Sequence, residues 1–258
     1  MIEIFIVSVV AFGAALLTFF SGFGLGTILT PVMMIFFPTE MAIAYTGLVH
    51  FSNNIFKFLL VGKNIDKKVL IRFGLPSVIA AFIGSYILVL IDDNIVIFSY
   101  YFFDKKIDVI LVKFLISILL IIFAIIDLIP QINNLHFDKK YLPFGGFLSG
   151  FFGGLSGNQG ALRSAFLIKH GLEKSVFIAT TVVISSLVDI TRLSVYSTNF
   201  LDLNFSDFYQ LGVFSVFSAV TGSFIGNKLL KKVTIEQIKK IVALLLILLG
   251  ISLLIGIL

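Results

Sequence analysis

The sequence predicts an all-α protein with many membrane passes, arranged as two repeats of opposite orientation. Three observations carry that reading. Apolar runs of near-spanning length occupy almost the whole chain, one run in each half is broken by glycines, and lysine and arginine gather in the loops of one face. Hydrophobic residues make up 59% of the 258 and charged ones 13%, where a soluble domain carries about 25% charge. Mean hydropathy is +1.11. Cysteine is absent, which excludes disulfides and thiolate metal sites. The net charge of +5 is not a nucleic-acid signal; its distribution matters more than its total.

The apolar segments fall at about 2–37, 41–61, 71–91, 109–129, 142–169, 175–196, 208–228 and 238–258, each long enough to approach the ~20 residues of a membrane span. The opening Met1-Ile2-Glu3 lacks the basic stretch of a cleavable signal, so the first run is expected to stay in the mature chain. That run is interrupted by Ser21-Gly22-Phe23-Gly24-Leu25-Gly26-Thr27, with Pro31 shortly after. Glycines at alternate positions disfavour a continuous helix. A break at membrane depth frees backbone N–H and C=O groups, which are tolerated only where they line a cavity or are buried in protein. The segment 142–169 repeats the break at Ser156-Gly157-Asn158-Gln159-Gly160-Ala161-Leu162-Arg163. The connection around Asp92 to Asp108 is the longest polar one, and no soluble domain of independent size fits between the spans.

The second half echoes the first. At an offset of 135, Ser21-Gly22 falls on Ser156-Gly157, Thr46 on Thr181, Asn54 on Asp189 and Lys57 on Arg192; at 138, Gly84-Ser85 falls on Gly222-Ser223. The chain therefore reads as one membrane domain, 1–258, with repeat one over about 2–129 and repeat two over about 142–258. Charge sets their relative orientation. If each broken segment crossed once, loop cations would divide ten against six. If each is re-entrant or crosses twice, Lys63, Lys67, Lys68, Arg72, Lys139, Lys140, Lys169, Lys174, Lys228, Lys231, Lys232, Lys239 and Lys240 share one face, thirteen against three. Only Lys105, Lys106 and Lys113 then remain opposite, beside Asp92, Asp93, Asp104, Asp108, Asp202 and Asp207. The positive-inside rule selects the second arrangement. Each half is then a broken segment plus three full helices, the repeats are inverted, and both termini are extracytoplasmic.

Polar residues inside the spans mark the path. Thr46, His50, Asn53, Asn54 and Lys57 form a stripe at helical spacing, matched by Thr181, Ser185, Asp189 and Arg192. Lys57 and Arg192 sit about a turn from their helix ends and are expected to snorkel to the interface, and Asp189 and Arg192 are spaced to neutralise each other. Arg163 follows the second break, where a fixed cation beside a half-helix N-terminus suits an oxyanion. The expected substrate contacts are Gly22, Gly24, Gly26 and Thr27 at the first break and Asn158, Gln159, Gly160 and Arg163 at the second. Asn53, Asn54, Ser185 and Asp189 are expected along the path, and His50 and Asp189 are the candidates for proton coupling, since an imidazole titrates at about pH 6.5. The GFGLG run lies in a membrane segment rather than at a nucleotide-binding turn, no HExxH or GxSxG occurs, and His50, His136 and His170 are scattered. No enzymatic activity, cofactor or metal is expected.

These residues resemble the sulfite exporter TauE/SafE family, also called the sulfonate uptake permeases. The resemblance rests on SGFGLGTILTPVM, on Ala42-Ile43-Ala44-Tyr45-Thr46-Gly47, on the Lys63-Asn64-Ile65-Asp66 turn, on Gly84-Ser85 and on the weaker second copy from Gly145 to Arg192. It implies an integral membrane transporter of small sulfur-containing anions such as sulfite, thiosulfate or organosulfonates. The chain departs from the family pattern in its second copy, where Phe166 stands at the position aligned with Pro31. The expected function is secondary transport of a small anion across the plasma membrane by alternating access. A passive anion channel and a non-transporting membrane scaffold are the alternatives. The expected partners are that anion and the bilayer, with no nucleic acid, and the sequence permits a homo-oligomer.

Overall fold

Helices form on each of the apolar runs, and local breakers set their ends. The computed structural model describes residues 1–19, 24–61, 64–92, 94–129, 138–167, 171–200, 209–229 and 235–257. The first run becomes α1 (Ile2–Thr18) and α2 (Leu25–Met33), followed by α3 (Thr39–Val61) and α4 (Lys67–Leu90). The remainder comprises α5 (Leu111–Leu128), α6 (Leu142–Ser156), α7 (Gly160–Leu167), α8 (Lys174–Phe200), α9 (Tyr209–Leu229) and α10 (Ile235–Leu254). Asp66 caps α4 by accepting from the backbone N–H groups of Lys68 at 2.8 Å and Val69 at 3.0 Å. Pro76 then withholds a backbone donor, and the helix widens into a π turn over Leu70–Gly74 just before it. The second glycine break forms as expected, and α2 opens at Leu25 within the first, whose residues 20–23 lie outside the described residues. α6 stops at Gly157, whose φ of 77° is left-handed backbone that glycine adopts without a Cβ penalty.

The polar connection around Asp92 to Asp108 departs from the all-α expectation. It holds a β-hairpin, Val96–Phe102 paired antiparallel with Lys105–Ile110, turning through Phe103 and Asp104, both at positive φ. Its flanking acids suggested a solvated connection, yet Val96–Phe102 is a β-branched and aromatic run that suits a strand. The Ser99 hydroxyl donates to Asp108 at 2.5 Å and Lys106 lies 2.9 Å from the same carboxylate.

Among the described residues, three helical stretches are long and apolar enough to cross a membrane: Lys67–Leu90, Ser175–Ser197 and Tyr209–Lys228. Ile2–Thr18, Leu111–Ile126 and Lys240–Leu254 are shorter apolar helices. α3 has the length of a span, 23 residues, but its polar stripe keeps it out of that set. It is correspondingly buried, with His50, Asn53, Asn54 and Lys57 all shielded by neighbouring helices.

Glycine stripes fix the helix pairs. Gly146, Gly150 and Gly154 of α6 lie on the carbonyls of Phe73, Ser77 and Ala81, where added Cβ atoms would fall 2.2, 2.0 and 2.2 Å from the oxygens. Both series ascend together, so α4 and α6 are parallel. Gly222 and Gly226 meet Phe12 and Leu16 in the same sense, making α1 and α9 parallel too. α3 runs against α8, since Gly47 faces Arg192 and Leu193 while Asn54 reaches Asp189. α5 likewise runs against α10, where Gly250 meets Ser117 and Ile121 and Gly256 meets Asp108 and Val109. α2 returns antiparallel to α3, with Gly24 at His50, Gly26 at Thr46 and Phe37 stacked on Tyr45. α7 returns beside α6, where Ser149 donates to the Gln159 carbonyl at 2.9 Å and Gly145 faces Phe166.

Candidate functional site

The two helical hairpins point their tips at each other. A Cβ on Gly26 would fall 3.4 Å from the Gly157 carbonyl oxygen, and one on Gly157 would fall 3.2 Å from the Thr30 hydroxyl. α3 and α8 cross behind these tips and present their polar stripes to them. The missing side chain of Gly24 likewise makes room for the imidazole of His50: a Cβ there would lie 2.9 Å from Nε2.

Asp189 is the hub, with no exposed surface. His50 Nδ1 lies within hydrogen-bond distance of Oδ2, at 2.6 Å, and Asn54 Nδ2 donates to the same oxygen at 3.3 Å. Arg192 Nε donates to Oδ1 at 3.0 Å, and Nη2 makes an ion-pair contact with that oxygen at 2.8 Å. Gln159 at the second tip donates to Oδ1 at 3.4 Å and accepts from Arg163 Nη1 at 3.0 Å, while Arg163 also donates to Ser185. A single network therefore links both α3 and α8 to the second tip. A buried charge stripped of any one of these partners would be left costly, by about 3–5 kcal/mol.

A cavity opens beside this network. Its empty volume, mouth included, is about 330 Å³, and its lining includes Thr18, Phe19, His50, Asn54, Lys57, Arg163, Thr181 and Ser185. Lys57 is only 4% exposed and lies over the Phe19 ring at 5.4 Å, so it does not snorkel; Arg192, with no exposed surface, does not either. Lys57 is about a turn from the end of α3, whereas α8 continues two turns past Arg192, and both side chains face the crossing of α3 and α8 rather than the bilayer. The expectation of an interfacial lysine missed Lys57 as a site residue. Its place in the stripe with His50 and Asn54 at helical spacing was the signal for it.

Of the expected contacts, the structure brings Asn54, Gln159, Arg163, Ser185, Asp189 and His50 into one network. Gly24, Gly26, Thr27, Asn158 and Gly160 sit at the two tips, all buried. Asn53 faces away from the cavity and accepts from Ser223 of α9 at 2.7 Å. Gly22, His136 and His170 lie outside the described residues. Among the described residues no group of three or more His, Asp or Glu is placed to hold a metal ion.

A model of the sulfite exporter TauE/SafE family matches residues 7–253, nearly the full chain. No curated protein and no solved structure matches.

Proposed function

Because the chain belongs to the sulfite exporter TauE/SafE family, we propose that it carries a small sulfur oxyanion across the plasma membrane by alternating access of two inverted repeats. The family consists of membrane transporters rather than enzymes. The observation that carries the finer reading is the pairing of Lys57 and Arg163, two cations from different halves, in one buried cavity beside the hairpin tips. Arg163 offers a planar donor set for an oxyanion and Lys57 a compact point charge. Thr18, Thr181 and Ser185 add hydroxyls within the same lining. A cavity lined so has no use for a cation and a strong one for a dispersed negative charge.

Inversion of the repeats is supported by helix direction. The helices α3 and α8, equivalent by the repeat, run antiparallel, as do α5 and α10, which fits a two-fold axis perpendicular to them. Asn54 and Asp189, 135 residues apart, hydrogen-bond to each other, and a position that meets its own counterpart lies on such an axis. With the thirteen-to-three division of loop cations, the termini lie outside and the cavity, toward the Lys57 end of α3, opens to the cytoplasm. His50 and Asp189, hydrogen-bonded to each other at 2.6 Å, are the candidates for proton coupling, since the pair lies between the cavity and the opposite face.

Flux of radiolabelled sulfite into proteoliposomes of the purified protein tests this reading. Saturable flux, reduced at least tenfold in Arg163→Ala, is expected. Absence of flux would contradict the reading, and flux that never saturates would make the protein a passive channel.

A further inference from the structure

Arg192 does more than neutralise Asp189. Its Nη1 has no acceptor and points to the notch left by the missing Cβ of Gly157, 2.9 Å from where that atom would be. The Thr30 hydroxyl faces the same point at 3.2 Å and is likewise without a partner. Around it, the Thr46 hydroxyl and both side-chain amide atoms of Asn158 are buried and unpartnered. Unsatisfied buried polar groups cost about 1–3 kcal/mol each, so a cluster of them around a cation points to something that occupies them.

Arg192 and Thr46 are the counterparts of Lys57 and Thr181, which line the cavity on the other side of the His50–Asp189 pair. Thr46 and Arg192 lie toward one end of the α3–α8 crossing, and Lys57 and Thr181 toward the other, because the two helices run antiparallel. We propose that Arg192, Thr30, Thr46 and Asn158 form a second oxyanion site, closed in this conformation, which receives the anion when the opposite face opens. The assignment rests on the transporter reading above. It adds that the anion passes between two cationic half-sites, with the Asp189 carboxylate separating them and discouraging simultaneous occupancy.

The chain has no cysteine, so single cysteines report accessibility cleanly. Thr181→Cys and Thr46→Cys, each in the full-length protein in sealed vesicles of either orientation, are exposed to a membrane-impermeant thiosulfonate reagent without sulfite. The expected result is labelling of the two positions from opposite faces, with Thr46→Cys the slower. A second arm measures half-saturating sulfite from each side in Thr30→Val and Thr46→Val. Removal of unpartnered hydroxyls should leave thermal stability unchanged or raised, yet weaken apparent affinity from the outer side by about fivefold to tenfold. Labelling of Thr46→Cys from the same face as Thr181→Cys, or from neither, would overturn the second site. So would unaltered affinity from both sides in the two valine variants of a transport-competent protein. A wild-type protein that moves no sulfite would instead overturn the transporter reading.

Discussion

The two hairpin tips are built on one plan and filled with opposite chemistry. The return limb of the first, α2, opens with Leu25, Gly26 and Thr27 and places Ile28 where α7 of the second has Arg163. The second tip contributes Asn158, Gln159 and Arg163, and two of these three tie it into the Asp189 network. The same contrast recurs on the crossing helices, where Asn54 answers Asp189 and His50 answers Ser185. The two halves share a plan, but the Asp189 carboxylate and the Arg163 guanidinium stand in the second half only, where the first has Asn54 and Ile28. A symmetric site would hold an anion equally in both orientations. An asymmetric one can bias which conformation holds it more tightly, and only such differential binding shifts a two-state equilibrium.

The largest effect expected from disturbing this comparison is at its centre. Asp189→Asn strands Arg192 in a fully buried position and should lower stability by about 3–5 kcal/mol, read as a drop in the thermal midpoint of the detergent-purified protein. Asn54→Asp combined with Asp189→Asn moves the carboxylate to the first half by less than the width of the network, since the two side chains already touch at 3.3 Å. The double variant should regain part of the loss. A midpoint no better than that of the single variant would mean that the halves are not interchangeable at this position.

Next come the scaffold glycines. Gly150→Ala sets a Cβ 2.0 Å from the Ser77 carbonyl oxygen and Gly222→Ala sets one 2.2 Å from that of Phe12. Each forces its helix pair apart and should cost about 1–3 kcal/mol or more. Comparable losses of monodisperse protein at the two sites would fit matched helix pairs; a loss at one alone would break the equivalence of α4–α6 with α1–α9.

The smallest effect is expected farthest from the tips, in the β-hairpin. The Ser99 hydroxyl, with help from Lys106, holds the Asp108 carboxyl below the usual carboxylate range. A depressed carboxyl stabilises the fold at pH above its unfolded value of about 3.9 and loses that contribution as pH falls through the folded value. Ser99→Ala should leave stability at pH 7 nearly unchanged, with any difference from wild type vanishing in acid, as thermal scans at pH 7 and pH 3 would show.

Much of the architecture was legible because the bilayer imposes simple rules. Apolar length located the spans, Gly24, Gly26, Gly157 and Gly160 located the breaks, and 135-residue spacing aligned the starts of α2 with α7 and of α3 with α8. The site was legible where polarity inside a span is costly, as at His50, Asn54, Asp189 and Arg163. Lys57 and Arg192 were misplaced because sequence position gives depth along a helix but not the face a long side chain takes. That face depends on the α3–α8 crossing, a contact between residues some 135 apart. The β-hairpin was hidden for another reason: its strands are too short for a span and its acidic flanks imitate a loop.

Equilibrium binding of radiolabelled sulfite to the purified protein tests the central claim, that Lys57 and Arg163 together hold the anion. The account predicts one saturable site, weakened at least about tenfold by Lys57→Gln and by Arg163→Gln, about 1.4 kcal/mol each, in protein that remains folded. Unchanged affinity in both variants would contradict it.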